Sequence, residues 1–164
     1  MLDQKKDTNW LVEWAVWGHL DSKTDLVKSS SVNFYEGVTQ QEVMDFYAKQ
    51  VNKTSTQNPM YGLNTKLVKE NGQLVEKVWK VGGMYSSAIE KIVYWLEQAI
   101  TVAENNNQQK ALEALVKFYK SGSLIDFDAY NIAWVKDTAS MVDVVNGFIE
   151  VYHDRSEEHT SELQ

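Results

Sequence analysis

The chain of 164 residues has no cysteine and a single proline. Without thiols there is no disulfide framework, no thiolate zinc knuckle and no cysteine nucleophile, which removes small secreted scaffolds and zinc-finger modules. Long apolar runs are missing as well. Nothing approaches the ~18 residues of a bilayer-spanning helix, and the start, Met1-Leu2-Asp3-Gln4-Lys5-Lys6, lacks the apolar stretch of a signal peptide. A cytoplasmic protein with no membrane partner is expected. Positive charge is in deficit, 16 Lys+Arg against 23 Asp+Glu, and the lysines are scattered. Phosphate neutralisation needs a concentrated basic surface, so no nucleic-acid partner is expected.

Aromatic residues are plentiful: six Trp, eight Tyr and five Phe make 12% of the chain. Such rings usually fill a core and only sometimes form a stacking platform. The length suits one domain with a sizeable core. Residues 1–32 form an ambiguous N-terminal segment, where Trp10, Leu11, Trp14 and Trp17 fall at helical spacing and suggest a short helix, but Gly18 and Ser29-Ser30-Ser31 break any long element. Thr39-Gln40-Gln41-Glu42 is a capping box, and with Val43, Phe46 and Tyr47 it predicts a helix over about 40–51.

Asn71-Gly72 predicts a hairpin turn between Thr65–Lys69 and Gln73–Trp79. From Met84 to Glu104, Ala88, Ile92, Trp95, Leu96, Ala99 and Val102 recur at three- and four-residue steps, which predicts a long amphipathic helix ended by Asn105-Asn106-Asn107. A second helix, Gln108 to Lys120, carries Leu112, Leu115, Val116 and Tyr119 and stops at Gly122, so the two should form an antiparallel hairpin. Asp126 or Asp128 would cap a short helix containing Tyr130, Ile132, Ala133 and Trp134, and from Met141 the pattern turns to β. The expected fold class is α+β, a helical hairpin and short helices packed with a small, mainly antiparallel sheet.

Little in the chain offers catalysis. Gly82-Gly83 belongs to no phosphate-binding motif, no G-x-S-x-G elbow occurs, and His19 and His153 have no paired-ligand spacing, so neither catalytic nor metal-ligating residues are assigned. One pair stands out. Glu150 and Tyr152 are two apart on a β-patterned segment, so both emerge from one face with Cβ atoms roughly 6–7 Å apart, while Ile149 and Val151 take the other. Such a carboxylate can hold a ligand's ammonium while the phenol reaches a nearby carbonyl. A solvated glutamate beside a half-buried tyrosine fits the same pattern.

The last stretch, Arg155-Ser156-Glu157-Glu158-His159-Thr160-Ser161-Glu162-Leu163-Gln164, is polar and aperiodic. It resembles the in-frame translation of a common sequencing adapter. Residues 155–164 are therefore expected to be read-through rather than native protein, with the coding sequence cut near Asp154.

Ile132-Ala133-Trp134-Val135-Lys136-Asp137, followed by Met141 to Asp154 with Gly147-Phe148-Ile149-Glu150-Val151-Tyr152-His153-Asp154, resembles the dipeptidyl-peptidase III zinc metallopeptidases. In that family a W-[IV]-K-D element precedes a strand reading G-F-I-E-x-Y-x-D. Asn33 to Thr39, Tyr61-Gly62-Leu63-Asn64 and the region from Gly72 to Tyr85 resemble bacterial members, so the likeness spans about 33–154. It implies that 33–154 is part of the lower lobe of a two-lobed enzyme that releases dipeptides from peptide N-termini. It also implies zinc in the full-length parent, held by an H-E-x-x-G-H helix and a later glutamate absent from this sequence, so that no zinc is expected in this chain and the chain alone is expected to be inactive. Glu150 would anchor the free amino terminus of a peptide substrate, and Tyr152 would hydrogen-bond substrate near the scissile bond. The rival reading is a non-catalytic peptide- or glycan-binding module in which Trp14, Trp17, Trp79 and Trp95 line an exposed groove.

Overall fold

The computed structural model describes residues 25–29, 34–51 and 58–146. Within them the chain runs α1 (Leu26–Ser29), β1 (Tyr35–Glu36), α2 (Gln40–Ala48), β2 (Thr65–Glu70), β3 (Gln73–Val78), α3 (Ser86–Thr101), α4 (Asn106–Ser121) and α5 (Leu124–Val135). The fold is α+β, with five helices and one mixed sheet ordered β1-β2-β3 among the described residues. None of these helices is long and apolar enough to cross a membrane.

Asn71 and Gly72 adopt φ of 51° and 79°, the two positive angles that a tight hairpin turn requires. They set β2 antiparallel to β3 from Glu70↔Gln73 to Thr65↔Val78, while β1 adds two parallel pairs on the far edge of β2. Leu67 points from the sheet into a cluster with Val27, Val38, Val43 and Tyr47. The capping box forms as expected: Glu42 N donates to Thr39 Oγ1 at 3.2 Å and Thr39 N donates to Glu42 Oε2 at 2.9 Å. The helix it starts ends at Ala48, three residues before the expected 51.

α3 carries two apolar stripes, and the buried one is not the one the spacing singled out. Ile89 and Val93 are buried with Val116, and Trp79, Val81, Leu96, Ile100 and Tyr119 pack around them. Of the expected stripe only Leu96 joins this core, whereas Ile92, Trp95 and Val102 are 42%, 68% and 78% exposed. The helix is also shorter at both ends than Met84–Glu104. Tyr85 sits at its N-terminus in the left-handed region without a side-chain cap, and Val102 closes it.

The asparagine run expected to end α3 instead starts α4. Asn105 Oδ1 accepts from the backbone of Asn107 at 2.8 Å and Gln108 at 3.0 Å, as an N-cap does. Leu112, Leu115, Val116 and Phe118 are buried along α4, completing the helical hairpin with α3. Gly122 then adopts φ 70° and its N–H returns to Phe118 O at 2.7 Å. The next helix begins at once, so the cap expected at Asp126 or Asp128 is Ser123. Asp126, in the first turn of α5, accepts from Ser121 Oγ at 2.6 Å and pairs with Lys117 at 2.7 Å.

Asn64, 1% exposed, ties the sheet to the helices: its Nδ2 donates to Gly122 O at 2.9 Å and its carbonyl accepts from Trp79 N at 3.0 Å. The β-strand expected from Met141 is absent over 141–146, because side chains rather than a neighbouring strand take up that backbone. The N-terminal tryptophans, the remainder of that predicted strand and the polar tail lie outside the described residues.

Candidate functional site

Glu150 and Tyr152 lie outside the described residues, as do His19 and His153. What the structure does describe is the chain that leads to the pair. Residues 137–146 leave α5 and run back across the start of α4, forming a strap that ends four residues before Glu150.

The strap is held almost entirely by side chains. Asp137 accepts from Asn105 Nδ2 at 3.2 Å and from Ser140 Oγ at 2.6 Å, and Asn105 Nδ2 also reaches Ser140 Oγ at 2.8 Å. Just before the cap, the Glu104 carboxylate accepts the N–H of Met141 at Oε2 and of Val142 at Oε1, both at 2.9 Å. Gln108 completes the grip: its Nε2 donates to Val142 O at 2.7 Å while its Oε1 accepts from Glu104 N at 2.7 Å. Further along, Trp134 Nε1 donates to Asp143 Oδ1 at 2.8 Å, Tyr130 OH to Val144 O at 3.1 Å and Tyr119 OH to Asn146 Oδ1 at 2.6 Å.

These contacts set the local electrostatics. The two backbone N–H groups, Met141 first and then Val142, hold the Glu104 carboxyl below its ordinary pKa, because both oxygens accept well only while the group is charged. The Ser140 hydroxyl does the same for Asp137. Burial pushes the phenols of Tyr119 and Tyr130 up, so both remain hydroxyl donors to the strap across ordinary pH. Burial of the strap itself contributes little, since Met141 is 92% and Val145 81% exposed. Only Val144 packs against the helical core of Leu115, Phe118, Leu124 and Tyr130.

The resemblance motif acquires a physical meaning here. Trp134 and Asp137 are two of the groups that fix the strap, and the carbonyl of Lys136 accepts from Asn107 Nδ2 at 3.1 Å. Sequence reasoning missed Glu104, Asn105, Gln108, Tyr119 and Tyr130. Their common sign is placement: all lie on α4, its entry or α5, on the side where the chain returns.

Beside the strap, Asn107, Lys110, Ala129, Ile132, Ala133 and Lys136 line an open cleft of about 320 Å³. Its polar lining is Asn107, Lys110 and Lys136, with no carboxylate or imidazole beside the two ammonium groups. The tryptophans do not gather into a groove among the described residues: Trp79 packs into the core, whereas Trp95 faces outward on α3. Trp14 and Trp17 fall outside those residues. Nor do the described residues fit a zinc site, since no group of three or more His, Asp or Glu comes together, where a protein-held zinc needs at least three ligands.

Comparison with known proteins matches residues 23–161 to peptidase family M49. The chain is 32% identical over 72 residues to dipeptidyl peptidase 3 of Rattus norvegicus, covering 44% of this chain and 10% of that protein. It is 34% identical over 74 residues to dipeptidyl peptidase 3 of Dictyostelium discoideum (45% of this chain, 11% of that protein), and 31% identical over 72 residues to that of Homo sapiens (44% and 10%). The matched stretch thus spans about a tenth of these relatives. With a match running over most of its length, the chain belongs to peptidase family M49.

Proposed function

We propose that the chain is part of a zinc-dependent exopeptidase that releases dipeptides from peptide N-termini, with residues 33–154 forming part of its lower lobe and 155–164 foreign to it. The observation that carries this reading is the family match, which runs through the predicted site. In this reading Glu150 binds the substrate's terminal ammonium and Tyr152 donates to a peptide carbonyl next to the scissile bond. Zinc and the groups that hold it belong to polypeptide outside this sequence, and the present chain alone is inactive.

The physical case rests on register. A carboxylate–ammonium contact is worth about 1.5–3 kcal/mol, and an amine fixed at one distance from the reacting centre measures off a set number of residues. An exopeptidase needs that kind of ruler, because side chains alone do not mark the second peptide bond.

In the full-length enzyme containing this segment, Glu150→Ala is expected to weaken binding of free-amino peptides by about 2–3 kcal/mol. N-acetylated peptides should bind equally to both forms, with zinc content unchanged. Calorimetric titration with an uncleaved peptide analogue measures this, and unaltered affinity for the free amine overturns the assignment. The genomic sequence beyond Asp154 is the companion check, where an H-E-x-x-G-H motif is expected.

A further inference from the structure

We propose that the outer face of α5, with the cleft beside it, seats a segment of the same enzyme that lies outside this sequence, an apolar segment carrying an Asp or Glu. The inference rests on the reading of the chain as part of a longer enzyme and uses nothing assigned to Glu150. The first observation is the helix itself. Inward, Leu124 and Tyr130 are buried, with Phe127 and Trp134 packed against them. Outward, Ile125, Ala129 and Ile132 follow at four- and three-residue steps with Val135 beside them, and Ile125, Ile132 and Val135 are 66%, 59% and 67% exposed. A helix that is apolar on both sides belongs inside a larger body.

The second observation is shape. Asn107 Nδ2 donates to Lys136 O at 3.1 Å, which ties the end of α5 to the start of α4 and fixes the two walls of the cleft. Ala129, Ile132 and Ala133 give it an apolar side, and it encloses about 320 Å³. That is the small end for a site that surrounds a free ligand. The apolar strip nevertheless runs on along the helix to Ile125, so the outline fits a packed stretch of chain rather than a small molecule.

The third is charge. Lys110 and Lys136 both line the cleft, and among the described residues neither has a carboxylate within ion-pair distance, whereas Lys66, Lys69, Lys77, Lys117 and Lys120 each do. The acidic groups nearest to them in sequence are engaged elsewhere: Glu113 accepts from Gln109 Nε2 at 2.8 Å and Asp137 from Ser140 Oγ at 2.6 Å. Two ammonium groups beside apolar surface match a cover that brings a carboxylate. A second copy of this face would turn lysine toward lysine, which like-charge repulsion disfavours. The stretch matched to each relative is only about a tenth of that protein, so a family enzyme has ample further polypeptide to supply the cover.

The experiment is zero-length cross-linking of the native full-length enzyme containing this segment, as a mixture of isotopically heavy and light copies. A carbodiimide joins an amine to a carboxylate only where the two already meet. Mass spectrometry locates the links and also reads the acetylation rates of Lys110 and Lys136 against the same lysines in urea-unfolded enzyme. A link is expected from Lys110 or Lys136 to an Asp or Glu outside this sequence and within one copy, with acetylation about tenfold slower than in the unfolded enzyme. Ile132→Asp should cut the yield of that link about tenfold, the scale of one large apolar side chain lost from a contact.

Four results overturn the inference. Links between heavy and light copies make the occupant a second copy. Links to another residue of this sequence mean that the lysines are paired at home. Acetylation as fast as in the unfolded enzyme leaves the face open to water, and protection without any link means that the cover brings no carboxylate. An unchanged link in Ile132→Asp removes α5 from the seat and overturns it equally. Failure of the longer-enzyme reading shows separately, as a coding sequence that stops near Asp154 with no further polypeptide to provide a cover.

Discussion

The β2–β3 hairpin and the strap are both non-helical chain, yet they are held in opposite ways. In the hairpin, six consecutive residue pairs face one another and the backbone satisfies itself. In the strap, backbone groups of Met141, Val142 and Val144 go to side chains of Glu104, Gln108, Asp143 and Tyr130. A hairpin carries its instructions locally, in a turn and an alternation. The strap takes its shape from helices and the turn before α4, with partners up to 38 positions away. The stretch that leads to the proposed substrate-binding pair is thus a tertiary construction, adjustable by side-chain changes that leave the core alone.

The largest expected effect tests the hairpin side. Leu67→Ala, at a residue 0% exposed among Val43, Tyr47 and Val38, should cost about 2–5 kcal/mol, through lost apolar transfer and the cavity left behind. Urea unfolding of the chain reads this directly. A loss below about 1 kcal/mol would mean that β2 is not the floor of that core. Next comes Asn105→Ala, which removes both the cap of α4 and the strap contacts to Asp137 and Ser140. About 1–2 kcal/mol is expected, the upper range for an N-cap. Amide exchange should quicken at Val142 and Val144 more than at Leu67, whose N–H bonds Phe34 O. Equal quickening at all three would erase the distinction between the two regions.

The same contrast explains what the sequence made legible. The Asn71-Gly72 turn, the Thr39–Glu42 capping box and the Gly122 stop are each encoded within four residues, and each is found where expected. α3 was harder because it is apolar on two faces. The stripe through Ile92 and Trp95 has the correct period, but the periodicity of one helix cannot say which face meets α4. Val142, Val144 and Val145 suggest a strand by composition, and the competing acceptor is Glu104, invisible without the fold. Asn105 reads as a helix breaker or a helix starter with equal ease, and only its Oδ1 contacts decide. The candidate site itself was reached through the resemblance at Trp134–Asp137 and Gly147–Asp154 rather than through spacing alone, since Glu150 and Tyr152 by themselves also fit a solvated face.

The smallest expected effect separates the two regions by what holds their carboxylates. On the sheet side, Glu42 is drawn from an ordinary value of 4.5 down to about 2, chiefly by the Lys69 ammonium, which it meets at 2.5 Å, and then by the Thr39 amide. On the strap side, Glu104 is lowered chiefly by the amides of Met141 and Val142, with no lysine among its causes. Both folded-state pKa values lie below the unfolded one. The stabilisation each group provides is therefore fully present above about pH 5 and is lost as pH falls through the folded value. Salt divides them. The Debye length shrinks from about 10 Å at 0.1 M to about 3 Å at 1 M, which weakens an exposed ion pair far more than a bond to a fixed backbone N–H. Carbon-detected NMR titration at the two salt concentrations is expected to move the Glu42 midpoint upward toward its ordinary value and to leave that of Glu104 nearly in place. Parallel movement of both would mean that the strap, like the sheet edge, is held by mobile charge rather than by oriented amides, and the case for Glu104 as a rigid clamp would go with it.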